Sequence, residues 1–373
     1  MKVLHINAGL EKGGGLFHVV NFLTQAKKEQ ADFELLTLAE GPVSKAAKKR
    51  GIKTTVLGSQ SRYNLTSLSK LIKFINEGNF DIVHTHGPRA NLYLSLIRKR
   101  IQAKWVITVH SDPLKDFKER GLLGKAFTNL NLKALQKADG IFAITQNFAD
   151  ILNKKVGIDK TKICVIYNGI FFHDNSKIAR KFAHPYFNII NVGRQEPLKG
   201  QDVLLKAIKK LDNPNIRVHL VGDGSKENYL KALARDLGIS QQVIFHGFLT
   251  QKETSELYRK MNLAVLTSYS ESFPLVLLEA ADNLVPILST SVGDIKKMIP
   301  NENYGFIAPI GDIAAISEQL DHAVNTDPVA LKEMAKKEKN YLSQTFSMRN
   351  QYLVITNYYR YLLKNNRSEQ NGN

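Results

Sequence analysis

The sequence predicts an α/β fold made of two doubly wound domains that face each other across a cleft. The first observation is length, because 373 residues suggest two domains at about 150 residues each. The second is an alternation of short apolar strands with amphipathic helices, which is typical of parallel sheets with crossover helices. The third is that this alternation stops in a polar stretch and then restarts. We therefore expect a first domain at 1–170, a linker at 171–185 and a second domain at 186–346.

The first half contains six predicted strands, each a short apolar run. They are Val3–Asn7, Phe33–Leu38, Thr54–Leu57, Ile82–Thr85, Trp105–Val109 and Gly140–Ile144. Apolar residues at helical spacing predict the intervening helices, which are Phe17–Lys27, Val43–Arg50 and Leu65–Asn76. In such sheets ligands bind at the carboxyl ends of the strands.

The second half repeats this pattern, and the segment after it is helical and aromatic. Its predicted strands are Phe187–Val192, Arg217–Val221, Val243–His246, Leu263–Thr267, Pro286–Ser289 and Gly305–Ala308. Helices are predicted at Gln201–Lys210 and Ser225–Leu237. We expect a C-terminal helix at 347–364 that packs back on the first domain, followed by a disordered polar tail at 365–373.

The chain carries a formal charge of +18, of which +14 lies in residues 1–170 and +4 in the remainder. This excess indicates an anionic partner: nucleic acid, an anionic membrane or a phosphorylated substrate. The single cysteine, Cys164, excludes an internal disulfide and a CxxC zinc site. The start lacks the apolar stretch of a signal peptide, and no apolar run reaches the roughly 18 residues of a membrane span. We therefore expect a cytoplasmic protein.

Basic residues form three runs in the first half. They are Lys45, Lys48, Lys49, Arg50 and Lys53; Arg98, Lys99, Arg100 and Lys104; and Lys115, Lys118, Arg120 and Lys125. Any one run is compatible with a solvated helix face. The third run alternates with leucine and phenylalanine, which fits either a helix in a membrane interface or a core-facing helix with a lysine-rich outer side.

Two loops have the composition of phosphate-binding sites. Gly13-Gly14-Gly15 follows the first strand and precedes a helix, so backbone amides could approach a phosphate, a plain strand–helix turn being the alternative. Arg194 and Lys199 lie between a strand and a helix in the second half, where they could neutralise a diphosphate. Neither loop matches GxGxxG or GxxxxGK[ST], which weakens dinucleotide binding and P-loop hydrolysis.

Two carboxylates, Glu271 and Glu279, lie eight positions apart after the strand Leu263–Thr267. Glu271 belongs to a Ser/Tyr loop, and Glu279 lies in an apolar segment after Pro274, a residue that favours a helix start. A loop and a helix can place both acids along one ligand, where carboxylates accept hydrogen bonds from sugar or ribose hydroxyls.

These motifs together resemble the retaining GT-B glycosyltransferases of the large group 1 family, typified by bacterial polysaccharide, lipopolysaccharide and mannoside enzymes. The resemblance covers nearly the whole chain, with the motifs in the family's order. They are the Gly13–Gly15 loop, Asp81–Gly87, Asn168-Gly169-Ile170, Gly193-Arg194 with Lys199-Gly200, Val221–Gly224, His246-Gly247-Phe248, the Glu271–Glu279 element and Tyr304-Gly305-Phe306. The resemblance implies two Rossmann-like domains in a GT-B arrangement.

The resemblance also assigns roles to residues. It implies that Arg194 and Lys199 bind the donor diphosphate, that Glu271 lies beside the donor sugar and that Glu279 holds the ribose. His110 matches a histidine near the donor sugar and the acceptor. The donor-binding set implied is Gly14, Gly15, Gly222, Phe248 and Glu279. The sequence departs from the family's pattern at two places. Pro274 stands where members often have glycine, and Asp294–Lys297 follows Gly293 where many members have a second glycine and an acidic residue.

The family requires no metal and no cofactor, and the absence of a D-x-D motif agrees with that expectation. His84 and His86 lie two apart on a predicted strand and so share one side of it. We interpret them as structural or acceptor-side residues, because a pair of histidines without a third ligand is a poor metal site.

We therefore predict an enzyme, a glycosyltransferase that moves a hexosyl or N-acetylhexosaminyl group from a nucleotide sugar, with a UDP-sugar favoured, to a glycan or lipid-linked acceptor. The basic first half predicts peripheral binding to the anionic inner membrane face. The alternatives are a nucleotide-sugar epimerase of the same fold, a non-catalytic scaffold and a basic nucleic-acid-binding protein. Nucleic acid is disfavoured because no nucleic-acid motif is present.

Overall fold

Two compact units make up the chain in a computed structural model. The structure describes residues 1–11, 13–58, 66–117, 121–174 and 185–370, with only the backbone at 66 and 365–370. The first unit comprises Met1–Gly169 together with the chain from Met348 onward, and the second comprises Ile170–Ser347. Of the predicted linker at 171–185, residues 175–184 lie outside the described part.

A seven-stranded parallel sheet forms the centre of the first unit. The strands are β1 (Lys2–Asn7), β2 (Asp32–Thr37), β3 (Thr54–Val56), β4 (Ile82–His86), β5 (Lys104–Val109), β6 (Gly140–Ala143) and β7 (Ile163–Val165). Their order is β3-β2-β1-β4-β5-β6-β7, so the winding direction reverses between β1 and β4. The apolar side chains of β1 are fully buried because helices cover both faces of a parallel sheet.

Helices follow most strands of the first unit along the part of the chain that the structure describes. They are α1 (Gly14–Lys28), α2 (Pro42–Lys49), α3 (Thr66–Glu77), α4 (Pro88–Ile97), α5 (Gly121–Gln136) and α6 (Gln146–Lys154). The buried face of α1 includes Val19, Phe22 and Leu23, which follow helical spacing. Because α1 begins shortly after β1, its N-terminus lies at the carboxyl edge of the sheet.

The second unit has the same architecture around a six-stranded parallel sheet. Its strands are β8 (Phe187–Val192), β9 (Ile216–Val221), β10 (Val243–Gly247), β11 (Leu263–Leu266), β12 (Ile287–Thr290) and β13 (Phe306–Ala308). The order is β10-β9-β8-β11-β12-β13, with the reversal between β8 and β11. Its helices are α7 (Gln201–Leu211), α8 (Glu227–Asp236), α9 (Gln251–Tyr258), α10 (Leu275–Asp282), α11 (Ile313–Asn325) and α12 (Pro328–Thr345). The prediction of two doubly wound domains is confirmed.

The helix α13 (Met348–Gln370) packs on α1 and belongs to the first unit. The rings of Tyr352 and Phe22 lie 6.2 Å apart, and the Gln351 amide donates a hydrogen bond of 2.9 Å to the carbonyl of Tyr167. Residues 365–370 of the expected disordered tail at 365–373 continue this helix. Adding residues to an existing helix costs little compared with nucleating one. Residues 371–373 lie outside the described part.

Candidate functional site

The carboxyl edge of the second sheet is organised where β8 and β11 lie side by side, which is where doubly wound sheets bind ligands. Gly200 connects the loop after β8 to α7 with a positive φ of 61°. A Cβ atom there would lie 2.2 Å from the carbonyl oxygen of Thr267, the residue after β11. The Thr267 hydroxyl donates a hydrogen bond of 2.8 Å to the Gly200 carbonyl. Direct backbone contact therefore holds the two loops together.

An ion pair spans these two loops. The Nζ atom of Lys199 lies 2.6 Å from Oε1 of Glu271, and the Ser268 hydroxyl donates to the same oxygen over 2.7 Å. The side chain of Lys199 is 26% exposed and that of Glu271 is 11% exposed. The structure thus brings together two of the predicted site residues, with the lysine still reachable by an anionic ligand.

Arg194 lies on the same loop as Lys199, and its side chain is exposed. Its carbonyl accepts a hydrogen bond of 3.1 Å from the Gln201 amide at the start of α7, which fixes the backbone below the guanidinium. Two cations therefore stand at the carboxyl end of β8, one exposed and one paired with a carboxylate.

A buried glutamine that the sequence reasoning missed connects this loop to the next one. Gln195 donates from its backbone N–H to the Asp223 carbonyl over 2.7 Å and from its side chain to the Gly222 carbonyl over 2.8 Å. Gly222 has a φ of 122°, and a Cβ atom on it would lie 2.2 Å from the Gly193 carbonyl oxygen. Gly222 is therefore required for this close approach of two loops. The only sign of this role in the sequence is the motif Val221–Gly224, in which positions 222 and 224 are both glycine.

Glu279 and Phe248 lie on other elements of the same unit. Glu279 lies on α10, and burial, assisted by the nearby Asp282 charge, raises its pKa to about 7. Phe248 follows β10 and exposes 73% of its surface. The predicted residues thus come from β8, β9, β10, β11 and α10 of one sheet and its connections.

The raised pKa of Glu279 gives a pH-dependent stability. Its ordinary pKa is 4.5, so between 4.5 and about 7 the folded state binds more protons than the unfolded state. Stability contributed by this group is therefore lost as the pH rises through that range. We expect Glu279→Gln to remove this loss, measured as the free energy of unfolding in denaturant at several pH values. Parallel pH profiles for the variant and the wild type would contradict the assignment.

In the first unit the corresponding edge lies where β1 and β4 are neighbours. Gly13 caps α1 with a φ of 73°, and a Cβ atom on Gly14 would meet no atom of the described residues within 4 Å. Glu11 accepts a hydrogen bond of 2.8 Å from the Asn7 amide, and its carboxyl passes close to Gly15, with a built Cβ 3.0 Å away. Burial raises the pKa of Glu11.

Beside this loop lies a cluster of five histidines, which we call the histidine cluster: His5, His18, His84, His86 and His110. His5 and His86 share a hydrogen bond of 2.9 Å, and the nearest ring nitrogens of His86 and His110 are 3.4 Å apart. His84 bonds the Tyr359 hydroxyl on α13 and the Thr108 hydroxyl on β5. The predicted pair, His84 and His86, is therefore part of a larger assembly.

Burial is the main cause of low pKa values across the histidine cluster. It lowers the pKa of His5 to about 3 and of His18 to about 4, and it lowers those of His84, His86 and His110 well below the usual value. The imidazoles are therefore neutral near pH 7. His5 could have been foreseen from the parallel pairing of β1 with β4, which places it opposite His84. His18 lies on α1, outside the strands, and no strand pairing indicates its place in the cluster.

None of the described helices is both long enough and apolar enough to cross a lipid bilayer.

The structure describes the second basic run completely and the third only in part. Arg98 and Lys104 both bind Asp139, at 2.8 and 3.6 Å, which leaves Lys99 and Arg100 as the outward part of the second run. Lys118 and Arg120 of the third run lie outside the described residues.

Comparison with known proteins finds a glycosyltransferase family model for each half of the chain. The model of group 1 glycosyl transferases matches residues 173–341, and that of glycosyltransferase family 4 matches residues 12–171. The chain is 28% identical over 272 residues to a D-inositol 3-phosphate glycosyltransferase of Mycolicibacterium smegmatis, an alignment that covers 68% of this chain and 62% of that protein. The chain thus spans less than two thirds of that relative's length. It is 26% identical to N-acetyl-alpha-D-glucosaminyl L-malate synthase of Bacillus anthracis, covering 69% and 68% of the two chains.

Among solved structures, the chain resembles Anabaena HepE in complex with UDP, with a TM-score of 0.79 and 19% identity over 95% of this chain and 99% of that one. The same Anabaena protein has been solved with UDP-glucose. At this identity the likeness concerns the fold, which is GT-B. The two family matches and the shared fold together show that the chain belongs to the group 1 glycosyltransferases.

Proposed function

We propose that the protein is a retaining glycosyltransferase that transfers a sugar from a nucleotide-sugar donor to a glycan or lipid-linked acceptor. The observation that carries the proposal is the Lys199–Glu271 ion pair, 2.6 Å long, at the carboxyl edge where β8 meets β11. Arg194 on the same loop supplies a second cation. A diphosphate at this edge meets both positive charges.

The two cations would stabilise the leaving group. Transfer breaks the bond between the anomeric carbon and the phosphate oxygen, so negative charge grows on the nucleoside diphosphate. Lys199 and Arg194 would offset that charge from fixed positions, which is electrostatic catalysis. In the family's mechanism the acceptor oxygen attacks the same face that the diphosphate leaves, and its proton passes to the departing phosphate. The step as proposed uses no metal ion and no cofactor.

Carboxylates and His110 would orient the sugar and the acceptor. Glu271 is held by Lys199 and Ser268, so its position beside the donor sugar is defined before the donor binds. Glu279 would hold the ribose, Phe248 and Gly222 would contact the nucleotide, and Gly14 and Gly15 would approach the donor phosphate or the acceptor. His110 would lie near the donor sugar and the acceptor.

UDP is the favoured nucleotide, and cell-surface polysaccharide synthesis is the favoured pathway. The UDP and UDP-glucose complexes of Anabaena HepE support the nucleotide. The two curated relatives are named for an inositol phosphate and for malate, so small acceptors belong in the test beside glycans.

A donor panel tests the function. Purified protein is incubated with UDP- and GDP-sugars, with candidate acceptors, and nucleotide release is measured beside the thermal shift caused by each donor. We expect release with at least one UDP-sugar and a product of retained anomeric configuration by NMR. Conversion of the donor to an isomeric sugar nucleotide without transfer would instead support an epimerase. Neither binding nor turnover with any donor would contradict the proposal.

The first unit offers a surface for peripheral binding to an anionic membrane at the inner face. Leu122 and Leu123 at the start of α5 are 84% and 71% exposed, and Lys125 follows on the same helix. Exposed leucines beside lysines can insert apolar side chains while the cations attract acidic headgroups.

Liposome sedimentation checks this surface. We expect binding to vesicles that contain phosphatidylglycerol, weaker binding at high salt because salt screens surface charges, and loss of binding in Leu122→Ser/Leu123→Ser. Val329→Ser is the control, because Val329 is a 67% exposed apolar residue on α12 of the second unit. Binding that is absent, or unaffected by salt and by the leucine changes, would count against the membrane proposal.

A further inference from the structure

Three members of the histidine cluster point ring nitrogens at a common space. One nitrogen each of His18, His86 and His110 lies within 4.8 Å of the other two. His86 Nδ1 and His110 Nε2 lie 3.4 Å apart. Zinc–nitrogen bonds of about 2.0–2.1 Å in a tetrahedron separate two ligand nitrogens by about 3.4 Å. This pair therefore already has the spacing of two ligands on one ion.

His18 presents an unused lone pair to this space. Its Nδ1 lies 2.9 Å from the Asn168 amide oxygen, which can only accept, so Nδ1 carries the proton and Nε2 carries the lone pair. Nε2 is buried and has no hydrogen-bond partner among the described residues. Leaving a buried polar atom unpaired is unfavourable, and a bound ion would satisfy it.

His86 and His18 also have the outer contacts that orient metal ligands. His86 Nε2 bonds Nδ1 of His5 over 2.9 Å, and among the described residues His86 Nδ1 bonds only His110 Nε2, a contact that an ion bound by both nitrogens would replace. Metal-ligating histidines usually bind a further polar group through their second nitrogen, as His18 does with Asn168. His84 is unsuited to this role because Tyr359 and Thr108 occupy both its nitrogens.

Glu11 places a carboxyl group at the same edge of the sheet as the histidine cluster. It bonds Asn7, the residue that pairs with His86 in the register of β1 with β4. His110 is half-buried and the other two histidines are buried, so His110 marks the side open to solvent.

We propose that His18, His86 and His110 form a binding site for a divalent transition metal of the nitrogen-preferring kind, such as zinc or cobalt. Three imidazoles and one open position are a common arrangement for zinc, and imidazole also suits copper and nickel. A metal here engages His110 and so inhibits transfer. The inhibition rests on the proposed function, whereas the binding does not.

Cobalt binding to the untagged full chain tests the site without any donor or acceptor. Equilibrium dialysis measures the stoichiometry, and visible absorption reports tetrahedral nitrogen coordination. We expect one Co²⁺ per chain, displaced by Zn²⁺. Asn168→Ala, which removes only an outer contact, should weaken binding by about 10–100-fold, and His18→Gln and His110→Gln, which remove ligands, should weaken it at least as much. The control is His246→Gln, which disrupts the His219–His246 pair in the second unit.

Each outcome decides the proposal. Absence of bound cobalt in the folded wild type overturns it, as does binding that His18→Gln and His110→Gln leave unchanged. Melting curves confirm that each variant is folded before its binding is compared. If cobalt binds as expected and no donor is turned over, the metal site stands and the glycosyltransferase proposal fails. If both hold, Zn²⁺ should inhibit the wild type at concentrations that leave His18→Gln active.

Discussion

Lys199→Met should lower kcat/KM for the preferred nucleotide sugar by about 100-fold or more, the usual result of removing one preorganised group that stabilises developing charge. Methionine keeps the length of the side chain and removes only the ammonium, so the diphosphate loses a fixed positive charge as it leaves. Lys206→Met is the matched control, because Lys206 lies on α7 and pairs with Asp202 one helical turn away, at 3.2 Å. Steady-state kinetics on the three proteins measure the effect.

Loss of stability has to be separated from loss of catalysis in this variant. Removing Lys199 leaves the 11% exposed carboxylate of Glu271 without its cation, which destabilises the fold. The double variant Lys199→Met/Glu271→Gln removes both charges, so we expect its melting temperature to return toward the wild-type value while activity stays low. A single variant within about threefold of wild-type activity, far from the loss typical of such groups, would show that Lys199 does not contact the diphosphate.

Gly200→Ala should lower both the stability and the activity of the protein although it adds a single methyl group. A residue other than glycine held at this positive φ costs about 1–3 kcal/mol. In addition, the new Cβ atom would lie 2.2 Å from the Thr267 carbonyl oxygen, so the loop after β8 must move away from the loop after β11. That movement separates Lys199 from Glu271, and we expect both the free energy of unfolding and kcat/KM to fall.

Gly238→Ala is the control that introduces the backbone strain without a close contact like the one between Gly200 and Thr267. Gly238 has a φ of 71°, similar to the 61° of Gly200, but a Cβ atom on it would meet nothing within 4 Å. Denaturant titration should therefore show a larger loss of stability for Gly200→Ala than for Gly238→Ala, and only the former should lower activity. Equal losses in the two variants would mean that the approach to Thr267 is relaxed at no cost.

The sequence was sufficient for every described strand except β7, because these strands are short, largely apolar runs separated by amphipathic helices. It also located the loop with Arg194 and Lys199, since a loop between a parallel strand and its helix must lie at the carboxyl edge. β7 was missed because its three half-buried residues, Ile163–Val165, are too few to form a pattern and are preceded by lysines.

The contacts within the site depend on pairings that local sequence does not encode. The Lys199–Glu271 pair joins residues 72 positions apart, and His18 meets Asn168 across 150 positions. The His84–His86 motif was visible as a pair on one strand, but its neighbours come from β1, α1 and the end of β5. Strand order decides which of these elements are adjacent, and a single sequence does not state that order.

The position of α13 has a consequence for how the protein is made. The ribosome synthesises the whole second unit, Ile170–Ser347, before it produces the helix that completes the first. Until then the rings of Phe22 and Phe33 lack Tyr352, and His84 lacks the Tyr359 hydroxyl. The first unit therefore begins translation first and is completed last, and the hydrogen bond that ties the histidine cluster to α13 forms only after the second unit has been synthesised.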